Sequence, residues 1–208
     1  MKTGLLILAL SAALAADPLD EVLAKFRAVP EGRVTFQLKI AGESTAHNST
    51  LVFRRPDRLH YWGEMGSGKE ARQVHCWLDQ SKLWAWTSLA ADGSRNVYAS
   101  EDMPGGLKDA PTHAALGPAN YWVLFLSGDR EQFDLDPAKA KDPDLWTAPD
   151  PATDQLVLDP ATRLLKEIVA WKEGREMARA SLSFSSQPVS NEELIWQMPS
   201  DSTLMKQP

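Results

Sequence analysis

The chain has 208 residues, with 28 acidic against 22 basic side chains, one cysteine and eight tryptophans. Its formal charge of −6 lacks the basic footprint that nucleic acid requires, and it excludes adsorption to anionic membranes by charge alone. A single cysteine cannot form an internal disulfide, so Cys76, set among apolar neighbours, is expected as a small buried hydrophobe.

The chain opens as an export signal. Lys2 supplies the positive charge, Leu5 to Leu14 is apolar apart from Ser11, and Ala13-Leu14-Ala15 presents small residues where a signal peptidase reads. The apolar run is about half of the ~20 residues that a membrane span needs. Residues 1–15 are therefore expected as a cleaved signal peptide, with Ala16 the alternative cut. Residues 16–208 are expected as one periplasmic domain with a formal charge of −7 once Lys2 is gone.

Asp17 to Val29 has Leu19, Val22, Leu23 and Phe26 at helical spacing, with Pro30 beyond the end. The period then changes to two. Val34, Phe36, Leu38 and Ile40 alternate with polar residues, as in a strand with one wet face. Further strands are predicted at Ser49–Arg54, Arg58–Gly63, Gln73–Asp79, Lys82–Ser88 and Asn96–Ser100, joined by short turns into an antiparallel meander. Glu101–Gly117 reads as a loop. Pro118–Ser127 reads as a short helix, apolar nearly all round and so in need of cover on more than one side. The proline-rich stretch Asp134–Asp154 reads as an irregular connector, and strands resume at Gln155–Leu158, Leu164–Trp171, Met177–Ser185 and Leu194–Met198. The fold class expected is α+β, mainly antiparallel β. It would be one curved sheet forming an unclosed half β-barrel, with short helices covering the concave face.

Chemistry is sparse. His47, His60, His75 and His113 are scattered, although His60 and His75 fall in strands and could approach each other, with Cys76 nearby. No metal-ligand spacing, cofactor motif or Gly-x-Ser-x-Gly frame occurs, so no catalytic residue, metal or cofactor is assigned. Gly66-Ser67-Gly68-Lys69 reads as a hairpin tip. The acidic pairs Asp134/Asp136 and Asp142/Asp144 read as solvated. The tryptophans stand out. Trp84 and Trp86 share one face of their strand, and indoles either fill a core or line a cavity for a chain-like ligand.

The runs Phe36-Gln37-Leu38-Lys39, Leu51 to Trp62 with its Arg54-Arg55-Pro56, and Leu78-Asp79-Gln80-Ser81-Lys82-Leu83-Trp84 resemble the periplasmic outer-membrane lipoprotein carrier family, LolA and its relatives. Trp196-Gln197-Met198-Pro199-Ser200-Asp201 is similar to that family's closing segment. The resemblance covers Pro18–Ser88 and Gln155–Asp201; Ala99–Asp154 departs from the pattern. It implies a monomeric, non-enzymatic carrier of lipoprotein or other lipid acyl chains, served by an inner-membrane release complex and an outer-membrane acceptor. The expected cavity lining is Phe36, Leu38, Phe53, Trp84 and Trp86, with Trp122 and Phe125 on the lid helix. The family's lid-closing arginine aligns with Arg55. Its five donors suit the open carbonyls of a helix C-terminus, while read by itself it is equally a solvated strand-end residue. Other readings stay open at this point: an envelope interaction or sensor protein, a carbohydrate-binding β protein, and a hydrolase using His60 or His75.

Overall fold

The computed structural model describes residues 18–65, 71–88, 96–110, 114–128, 145–147 and 154–205. The signal sequence, His113, the Gly66–Lys69 tip and the two aspartate pairs lie outside them. Helix α1 (Pro18–Arg27) buries Leu19, Val22, Leu23 and Phe26 on one stripe. Asp20 and Glu21 in its first turn and Lys25 and Arg27 in its last complement the helix dipole.

The meander then runs through β1 (Glu31–Ile40), β2 (His47–Arg54), β3 (Arg58–Met65), β4 (Arg72–Asp79), β5 (Lys82–Thr87) and β6 (Val97–Asp102). A two-residue turn links β4 to β5, and Gln80 in it takes φ 59°, the left-handed conformation such turns demand. After single 3-10 turns at Gly106–Lys108 and Ala114–Leu116 comes helix α2 (Ala119–Ser127), which stops at Gly128 in the left-handed conformation. A second meander follows: β7 (Leu145–Thr147), β8 (Asp154–Leu158), β9 (Leu165–Lys172) and β10 (Arg175–Ser185). Glu173 and Gly174 both take positive φ in the tight turn before β10.

The strands form one open sheet in the order β11-β6-β5-β4-β3-β2-β1-β10-β9-β8-β7, where β11 is Thr203–Leu204. The antiparallel pairing of β1 with β10 joins the two meanders, and β11 adds to β6 in parallel. The expected unclosed, mainly antiparallel sheet is thus present, with three local corrections. Leu145–Thr147 is a strand where an irregular connector was expected. Leu194–Met198 is not a strand: Leu194 ends a one-turn helix, α3 (Asn191–Leu194), capped by Ser190 with Glu193 reaching back. The short β11 was not expected at all. Side-chain capping and edge pairing set these pieces, and neither leaves a period in the sequence.

One face of the sheet wraps α1 and α2. Phe36, Leu51, Phe53, Leu59, Leu78 and Leu83 from the first meander meet Leu156, Leu158 and Leu165 from the second in one core. Phe26 of α1 stacks on Phe125 of α2 at 4.8 Å and meets Trp122 edge-on at 5.0 Å. Burial of each such ring is worth about 1.5–3 kcal/mol, so the two helices form an integral cover of the concave face. Gly32 makes room for this arrangement. A Cβ there would stand 2.5 Å from the Phe184 ring, which stacks on Trp122 at 5.4 Å.

Candidate functional site: the lidded concave face

Helix α2 closes the concave face. Ala119, Trp122, Val123, Phe125 and Leu126 are all buried, which agrees with a sequence too apolar to face water. Polar ties to other elements hold both of its ends. Arg55 donates from Nη2 to the Leu126 carbonyl, one of the carbonyls a helix C-terminus leaves open. Arg27 of α1 donates to the Gly128 carbonyl at 3.1 Å. At the other end of the helix, the Tyr121 hydroxyl donates to the Asp154 carboxylate at the start of β8.

Arg55 follows the end of β2 directly, and its backbone N–H donates to Pro30 O at 2.8 Å; the Arg55–Pro56 peptide is cis. Burial, and then the nearby Arg27 charge, hold the Arg55 guanidinium below its usual value. Its Nε and the Trp122 Nε1 are both buried without a partner, so the docking of α2 leaves two donors unsatisfied. Burial, then the hydrogen bond and charge of Asp154, push the Tyr121 phenol above its ordinary value. Beside the N-terminal end of α2 an apolar pocket of about 80 Å³ opens between Leu38, Ile40, Tyr61 and Pro118. Ser49 and His47 also line it, and His47 is bonded to Glu43 at 2.5 Å.

Of the residues expected to line one cavity, Phe36, Phe53, Trp122 and Phe125 are buried in the concave core, and Leu38 packs against it. Trp84 and Trp86 do share a face, but it is the opposite one. The register pairs Trp84 with Trp77 and Trp86 with His75, while the alternate residues Leu83 and Cys76 point into the concave core. Alternation places both tryptophans together without saying which side of a curved sheet is inside, and the expectation that they share a cavity with Phe36 is corrected accordingly.

On that convex face Trp77 and Trp86 are buried and Trp84 is partly exposed. The segment after β10 crosses over it, anchored by Arg54 on Val189 O and the Asn191 side chain and by Arg33 on Glu193. Trp196 then stacks on His75 at 4.1 Å and meets Trp77 and Trp86 at 4.9 Å. Trp86 donates to Ser202 Oγ at 3.0 Å. His60 and His75 do approach each other: His60 Nδ1 lies 2.8 Å from Glu193 O, and His60 Nε2 lies 3.0 Å from His75 Nδ1. A carbonyl only accepts, so His60 carries its proton on Nδ1 and His75 donates to His60 Nε2. Burial lowers the pKa of His60 to about 4; burial, then the neighbouring His60, takes His75 to about 4 as well.

Cys76 is not part of this pair. It points into the concave core, where burial raises its thiol well above the ordinary value. Among the described residues, no group of three or more His, Cys, Asp or Glu stands close enough to hold a metal ion. The polar partner of His60 beyond His75 is a backbone carbonyl, and the Glu193 carboxylate is taken by Arg33 and the Ser190 N–H.

No family model and no curated protein matches the chain. It is similar to solved structures of MucB (14% identity, TM-score 0.45, covering 88% of this chain and 63% of that one) and of MucB in complex with MucA(peri) (14%, 0.43, 90% and 61%). It is also similar to the MucA/MucB complex of Pseudomonas aeruginosa (15%, 0.44, 91% and 64%). The chain spans about three-fifths of the length of these structures.

Proposed function

We propose that this chain is an exported, non-catalytic periplasmic carrier, similar to the lipoprotein carrier family, that takes an acyl chain of a lipoprotein or other lipid beneath α2. The observation that carries the reading is the attachment of Arg55 to the C-terminal carbonyl of an otherwise apolar helix lying over an apolar concave face. Any buried helix end needs a partner for its last carbonyls; here the partner is a side chain from another element, which a moving cover can release and regain. Burial of an acyl chain is worth about 0.8 kcal/mol per methylene, so a few chain segments replace the contacts that α2 gives up. The ties then keep binding from becoming irreversible, because the closed lid regains them on release. Donor and acceptor complexes in the two membranes would be the partners.

A second reading, an envelope interaction protein, is favoured by the convex side. There Ile195, Leu204 and Met205 are each more than half exposed along the covering segment and the outermost strand β11. Titration of the purified protein with a fluorescent acyl probe, read together with amide exchange in α2, separates the two. The carrier reading expects saturable binding with faster exchange in α2 when loaded. No saturable binding rejects it in favour of the second reading.

A further inference from the structure

Helix α2 is tied to both halves of the sheet, and the two ties are far apart along it. Arg55, at the end of β2 in the first meander, holds Leu126 in the last turn. Asp154, the first residue of β8 in the second meander, holds Tyr121 in the first turn. We propose that Tyr121 and Asp154 form a second, independent latch, so that α2 is a strut across the concave face that opens only when both meanders let go. The inference rests on the carrier reading and specifies how its site is regulated.

Three observations support it. The Tyr121 ring is half-buried on the lid helix, whereas its hydroxyl reaches outside its own element to a carboxylate, a charge-assisted bond of the stronger kind. The tie lies at the end of α2 next to the apolar pocket of Leu38, Ile40 and Pro118, where a chain slipping under the first turn would start. Asp154 also opens β8, which pairs with the short edge strand β7, so the tie joins the lid to the outer end of the second meander. Tyr121 and Asp154 are positioning residues: they set how readily the lid leaves.

The test uses the full chain with Tyr121→Phe, Arg55→Leu and the double variant. Loss of one charge-assisted bond should raise the population of open lid, and with it the apparent affinity for a fluorescent acyl probe, by about tenfold for each single variant. The double variant should show the product of the two. Amide exchange should speed up in the first turn of α2 for Tyr121→Phe and in the last turn for Arg55→Leu. Asp154→Asn, which keeps an acceptor oxygen, should perturb affinity less than Asp154→Ala. An affinity unchanged in Tyr121→Phe, or a double variant no tighter than Arg55→Leu alone, overturns the second latch and leaves the carrier reading standing. Absence of probe binding in every protein, wild type included, overturns both.

Discussion

Acidification should strip stability from the convex face well before the carboxylates titrate. His60 and His75 are held neutral in the fold with pKa values of about 4, against 6.5 for the free side chain. The unfolded chain therefore binds more protons than the folded one between these values. The stabilising contribution is complete above pH 6.5, declines as pH falls, and is gone near pH 4. At 1.36 kcal/mol per pH unit, His60 accounts for about 3 kcal/mol. His75 is less buried and its charge is partly solvated, so it is discounted to about 1 kcal/mol. The pair together is worth about 4 kcal/mol, a large fraction of the ~5–15 kcal/mol that a domain has, and more than half should be lost by pH 5. A proton on His75 Nε2 leaves both hydrogen bonds in place, whereas one on His60 Nε2 opposes the His75 N–H donor and breaks the bond between the rings, so the Trp196 stack on His75 should loosen once both rings are charged. Urea unfolding followed by tryptophan fluorescence at several pH values between 7 and 5 measures the effect. That window lies above Glu31, Asp159 and Glu176, whose pKa values are lowered by their hydrogen bonds. A stability that stays flat from pH 7 to 5, or histidine resonances for 60 and 75 that titrate near 6.5, would refute the reasoning.

Other perturbations give separate checks. Trp196→Ala removes the ring stacked on His75, and should raise the His75 pKa toward its ordinary value while costing about 3 kcal/mol, measurable by NMR titration and denaturation. Phe125→Ala empties a fully buried site stacked on Phe26 and should cost about 3–5 kcal/mol, with fast amide exchange throughout α2. Gly128→Ala puts a Cβ 3.1 Å from Arg27 Nε at a φ of 65°, so it should cost about 1 kcal/mol and detach Arg27 from the helix end, seen as faster exchange in the last turn of α2.

The residues themselves determined most of the architecture. Period-two runs, the helical stripe of Leu19, Val22, Leu23 and Phe26, and an all-apolar helix bounded by Pro118 and Gly128 are local signals. The described elements follow them to within a few residues. Arg55 stood out only through the resemblance to the carrier family, because an arginine ahead of a proline at a strand end is by itself equally a solvated residue; the fold brings its Nη2 to the Leu126 carbonyl. Tertiary structure alone decided which face was inside. Trp84 and Trp86 look the same in sequence as Leu83 and Ala85 seen from the other side. Their face became the convex one because α1 and α2, distant in the chain, cover the opposite side. The burial of Trp77 and Trp86 on that face depends in turn on a segment more than a hundred residues later that brings Trp196 across them. The Tyr121–Asp154 tie was hidden for the same reason. The two residues are 33 positions apart in different elements, and only the docking of α2 across both meanders brings a hydroxyl to a carboxylate.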